Sequence, residues 1–242
     1  MDKCPYPHHK RRSDLPQLTP RIAALPVDER GYPVPFFVQW LDENNNPAPP
    51  GTGRPEFRMM DRHKLSRCIK EKLCWVCGEK LGVHMAFPIG PMCAVNKVTS
   101  EPPSHLECAT WSVKGCPFLS RPKMVRREDE FTDAHQDNVA GVAILRNPGV
   151  IAIWVTRSYE PFRVPTRVAP DGTKANPGVL INIGPPETIE WWTEGRRATR
   201  DEVRLAIDTG IPALLEVCQT PEETDECQKA VAFVLTNYLP KE

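Results

Sequence analysis

The sequence lacks any run of eighteen apolar residues, so no segment is long enough to cross a bilayer as a helix. Its N-terminus, MDKCPYPHHKRR, lacks the apolar core of a secretory signal, and the cytoplasm is therefore the expected location. A net charge is also missing: 31 Lys and Arg balance 31 Asp and Glu. In a reducing compartment an odd count of nine cysteines does not read as a disulfide framework, and a clustered subset reads as metal ligands or buried thiols. What is present is 242 residues with 40% hydrophobic content, enough to bury a core as one large domain or two small ones.

The zero net charge conceals segregation. Residues 62–127 hold twelve basic and four acidic side chains, whereas residues 128–242 hold eleven and nineteen. A basic middle can attract a polyanion through counterion release, or it can complement the acidic part of the same chain.

Five of the nine cysteines and two of the six histidines fall between Cys74 and Leu119. Cys74-x-x-Cys77 followed by Gly78 is a tight turn in which two sulfurs converge. His105-x-x-Cys108 follows Glu101-Pro102-Pro103-Ser104. There the prolines stop an extended segment and Ser104 is expected to cap a helix, whose first turn points both ligands one way. KLGVHMAFPIGPM between the pairs reads as a hairpin. Knuckle, hairpin and helix N-terminus is the order of a treble clef. Three thiolates and one imidazole in a tetrahedral set favour Zn2+, and four protein ligands leave no open position, so the site reads as structural.

The other nearby donors are weaker. Cys116 lies eight residues beyond Cys108, about 12 Å along a continuous helix, too far to share one zinc. Cys93 is the credible substitute ligand, and His84 is either a satisfied polar residue or a group facing the site.

Around this centre the chain divides into an irregular proline-rich arm (1–35), a hairpin, helix and zinc module (36–120), a charged linker (121–138) and an α+β domain (139–242). PFFVQWLD and PEFRMMD flank the turn-forming ENNNPAPPGTGR as a hairpin over about Phe36 to Met60. Asp61 caps a helix expected to reach Leu73. In the linker, Arg121, Lys123, Arg126 and Arg127 are the candidate phosphate contacts, followed by an acidic block. VIAIWVT and GVLINIG are expected to build a small antiparallel sheet. Thr199 with Glu202 and Thr220 with Glu223 are capping boxes of C-terminal helices, and Cys227, Ala230, Val231, Val234, Leu235 and Tyr238 line one face of the last. Trp191-Trp192 either stack on a ligand or pack, one under the helices and one over the sheet edge.

The runs GYPVPFFVQW, CWVCGEKLG, IGPMCAVN, EPPSHLECA, CPFL and WWTEGRRATRDEV resemble a family of bacterial and phage or prophage proteins, over about residues 31 to 210. The resemblance implies a genomic context and no reaction. The middle is also similar to treble-clef modules embedded in HNH nucleases. That resemblance implies His84 as general base and Asn96 as its orienting partner. Val83 stands where an acidic residue usually precedes the histidine, and TWSVKGC offers no later helix histidine. His105-Leu106-Glu107 resembles the His-x-Glu of zinc deaminases, but Cys74–Cys77 precedes it without the proline, and Cys108 would fill the water's position. The expected function is a zinc-holding, non-enzymatic adaptor binding nucleic acid or protein, with a metal-dependent nuclease as the leading enzymatic alternative.

Overall fold

The computed structural model describes residues 9–120, 140, 148–165, 167–168, 174–175 and 177–241. Arg121, Lys123, Arg126, Arg127 and the rest of the expected linker lie outside the described residues.

From residue 9 the arm lies along the protein. Thr19 accepts a hydrogen bond from the Ile22 N–H, and Pro20 opens a single helical turn, α1 (Pro20–Ala23), that buries Ile22 completely. The expected hairpin forms and gains a strand: β1 (Val38–Leu41) pairs antiparallel with both β2 (Pro47–Ala48) and β3 (Arg54–Met60). Asp42 turns β1 into β2 by accepting from the Asn44 and Asn46 N–H groups, each at 2.8 Å. Asp61 caps α2 (Arg62–Glu71) as expected, but the helix stops before Leu73 because Lys72 turns left-handed, at φ 53°.

Past the first cysteine pair come β4 (Met85–Ile89), α3 (Pro91–Asn96), β5 (Val98–Thr99), α4 (Leu106–Gly115) and α5 (Pro117–Ser120). The hairpin expected between the ligand pairs is not formed. Met85, Ala86, Phe87 and Ile89 are all buried, so β4 needs cover on both faces, and its partner is a distant strand. That strand is β6 (Ile151–Thr156), followed by β7 (Tyr159–Val164), β8 (Arg167–Val168), β9 (Lys174–Ala175), β10 (Gly178–Ile183), β11 (Thr188–Thr193) and β12 (Arg196–Arg197). Helices α6 (Arg200–Asp208), α7 (Ile211–Glu216) and α8 (Pro221–Asn237) complete the chain.

The result is a mixture of helix and antiparallel sheet. The main sheet runs β12-β11-β6-β4, a second runs β5-β10-β7, and β8 pairs with β9. VIAIWVT and GVLINIG therefore lie in different sheets, and each sheet recruits a strand from the cysteine-rich segment. Against one face of the main sheet, Phe87, Ala152, Trp154 and Trp191 pack on Val95 of α3, Val203 and Ile207 of α6, and Val234 of α8. Against the other, Ala86, Ile151, Ile153, Val155 and Trp192 pack on Ala109 and Val113 of α4. With helices on both faces, every residue of β6 is buried, which is why its sequence is continuously apolar rather than alternating. No helix among the described residues is long and apolar enough to cross a membrane.

Candidate metal centre

The first ligand pair sits on a turn fixed by the backbone. Cys74 N–H donates to Glu79 O at 2.7 Å and Gly78 N–H to Cys74 O at 2.8 Å, while Leu73 and Lys80 form an antiparallel bridge. Gly78 has φ 77°, and a Cβ there would meet the Phe36 ring at 2.6 Å, so glycine is required twice over. The second pair hangs from the sheet: Ser104 and Ala86 exchange two backbone hydrogen bonds, and Trp75 N–H reaches Pro103 O at 3.0 Å. Ser104 is not the helix cap. Its backbone is committed to β4, so the helix begins one residue later, with His105 as N-cap.

These constraints bring one donor atom from each of Cys74, Cys77, His105 and Cys108 within 4.8 Å of one another. His105 Nδ1 lies 3.4 Å from Cys77 Sγ and 3.9 Å from Cys108 Sγ. A tetrahedral ion with bonds of about 2.0 and 2.3 Å needs N–S edges of about 3.5 Å, close to these two separations, so the cluster is positioned to hold a metal ion. Cys74 and Cys108 are fully buried. Hydrogen bonds from the Cys108 and Cys77 thiols, with backbone N–H groups of Cys77 and His105, hold the Cys74 thiol well below the usual range. Cys108 is pushed up because it donates to Cys74.

The remaining sequence candidates lie elsewhere. Cys93 sits on α3, packs against the main core with its thiol pushed up to about 11 by burial, and is outside the four-donor cluster. Cys116 is the C-cap of α4. His84 is exposed, with Nδ1 2.5 Å from Glu187 Oε2, and Arg157 holds the other oxygen of that carboxylate at 2.6 Å. Asn96 ends α3, where its side-chain oxygen accepts from Val98 N–H at 2.9 Å. No hydrogen bond joins His84 to Asn96. Glu107, in the first turn of α4, is engaged by Arg21. The paired tryptophans split between the two sheet faces, as consecutive strand residues must: Trp191 under α8, with its Nε1 donating to Tyr238 O at 2.7 Å, and Trp192 toward α4, beneath Arg197 and Lys114.

Sequence reasoning missed Arg21. Its guanidinium pairs with Glu79 at 2.7 Å and also with Glu107, on both ligand-bearing turns at once. Thr19-Pro20 is a helix-start signal that marks α1, but nothing local names its partners.

Comparison with known proteins finds no family model, no curated protein and no solved structure that matches this chain.

Proposed function

We propose that the chain is a zinc-holding, non-enzymatic binding protein with a closed structural site, and that its partner is nucleic acid. The observation that carries the first part is the convergence of three sulfurs and one imidazole nitrogen within 4.8 Å. Soft donors at tetrahedral separations favour zinc, and four protein ligands leave no position for a reacting water. The knuckle and the helix N-terminus supply the two ligand pairs as in a treble clef, without the hairpin that would lie between them. Zinc there would contribute on the order of 10 kcal/mol toward fastening the arm, the knuckle and α4 together.

The partner follows from charge. On α2 and the knuckle, Arg62, His63, Arg67, Lys70, Lys72 and Lys80 are all exposed. The acidic residues of the same stretch are already engaged, Glu71 by Arg67 and Glu79 by Arg21, while Lys70, Lys72 and Lys80 are in no ion pair among the described residues. Three exposed lysines without an ion pair among the described residues suit a phosphate backbone. The sequence places Arg121, Lys123, Arg126 and Arg127 in the same basic segment, and its resemblance to bacterial and prophage proteins supports a phage or prophage origin.

Metal analysis should find about one zinc per chain, and fluorescence anisotropy with a labelled duplex should give binding that falls steeply with salt. The Lys70→Glu, Lys72→Glu, Lys80→Glu variant should bind more weakly at every salt concentration, with a shallower salt slope. Zinc without binding at low salt would move the partner from nucleic acid to protein.

A further inference from the structure

We propose that Arg21 is a positioning residue of the metal centre, and that through it α1 acts as a latch setting how fast the metal leaves. The inference rests on the zinc reading above. Glu79 lies two residues after Cys77, and Glu107 lies between His105 and Cys108. A single guanidinium reaches both: Nε faces Glu79 Oε2 at 2.7 Å and Nη1 faces Glu107 Oε1. The two ligand pairs are also joined by Trp75 N–H to Pro103 O and by the His105 ring and backbone to Lys80 O and Cys74 Sγ, and Arg21 adds a tie on the solvent side. A planar fork is suited to this, whereas a lysine ammonium is a single point charge.

The residue next to Arg21 covers the sulfurs. Ile22 is fully buried in a cluster with Cys74, Val76, Cys108 and Trp111, and Leu25 closes the same cluster. Arg11 holds the far end of the turn through the carbonyl oxygens of Ala23 and Leu25. A four-residue helix has no stability of its own, so α1 persists only while docked. Docking rests on Ile22 and Leu25, with Leu18 half-buried beside them, and a few polar ties, whereas the main core is spread over two sheet faces. The arm is therefore the element that opens first, in a local event that leaves the sheet intact. An open arm uncovers Cys74 and Cys108 and admits a competing ligand to the zinc. The arm's opening equilibrium then sets the exchange rate.

The test is zinc transfer from the loaded full chain to an excess of a chromogenic chelator, followed by absorbance below the melting temperature. Arg21→Ala should release zinc about fivefold faster than the parent, the effect of losing two partly exposed ion pairs, and Arg21→Lys should fall between. Ile22→Ala should speed release on the order of a hundredfold. Thr199→Ala, which removes a helix cap on the far side of the sheet, is the control for general destabilisation and should leave the rate unchanged. Equal rates for Arg21→Ala and the parent, or equal acceleration by Thr199→Ala, would overturn the latch while leaving the zinc site standing. A purified chain that holds no zinc would overturn both.

Discussion

His105 Nε2 lies 3.0 Å from the backbone carbonyl oxygen of Lys80. A carbonyl can only accept, so Nε2 carries the proton and Nδ1 keeps its lone pair, aimed at Cys77 and Cys108. The knuckle thus supplies two sulfur donors and also sets the tautomer of the imidazole from the other ligand pair. Such an outer contact fixes the ring's orientation before any metal arrives, which lowers the ordering cost of binding.

The first prediction follows from that arrangement. Cys77→Ser and Cys108→Ser should each lose bound metal and melt at a lower temperature than the parent. Chelation of the parent should lower its melting temperature toward theirs while leaving the variants nearly unmoved, since the same free energy is removed by either route. Elemental analysis with thermal unfolding checks this, and full metal loading in both variants would exclude the site.

A second prediction separates the consecutive tryptophans. Trp191→Phe loses volume and the 2.7 Å hydrogen bond to Tyr238 O, whereas Trp192 Nε1 is buried without a hydrogen-bond partner. Replacing Trp192 by Phe removes that unsatisfied donor along with some contact to Arg197 and Lys114. Urea unfolding should find Trp191→Phe the more costly change, by about 1 kcal/mol. The opposite order would mean that the two cations over Trp192 outweigh the hydrogen bond.

What the sequence made legible was local. Asp61, Thr199 with Glu202, and Thr220 all cap where expected, because a cap is decided within four residues. The Cys-x-x-Cys and His-x-x-Cys pairs were readable for the same reason. What stayed hidden was pairing across the charged segment. Nothing near Met85–Ile89 indicates that β6 is its partner, and Pro88 reads as a strand breaker until β4 is seen to be the sheet's edge, where a missing N–H costs no ladder bond. Ser104 reads as a cap in the sequence because its commitment to Ala86 depends on that same strand. Arg21 was invisible because its two carboxylate partners lie far along the chain, on turns that only the fold brings together.

A third prediction concerns α6. Thr199 accepts from Glu202 N–H while Glu202 accepts from Thr199 N–H, and Arg196 grips the same carboxylate at 2.6 Å. Thr199→Ala should destabilise the protein by about 1 kcal/mol, visible as a shifted urea midpoint with an unchanged slope. A slope that also changed would indicate that α6 unfolds separately from the sheet.

The last prediction is a pH dependence located at Glu56 on β3. Burial alone would raise this carboxyl, but Arg58, through its guanidinium and its backbone N–H, together with Arg54, overcomes burial and holds it down at about 2. A folded value below the unfolded one means that the native state binds fewer protons. The stabilisation is therefore complete above the ordinary glutamate range and is lost as pH falls from about 4.5 toward about 2. Glu56→Gln keeps the shape but cannot ionise, so its stability should be lower than the parent's at neutral pH and flatter across that window, with the gap narrowing as acid is added. Urea midpoints at a series of pH values for the two proteins measure the difference directly. Parallel profiles would mean that Glu56 already has its arginine partners in the unfolded chain, where residues so close in sequence on one strand can still meet.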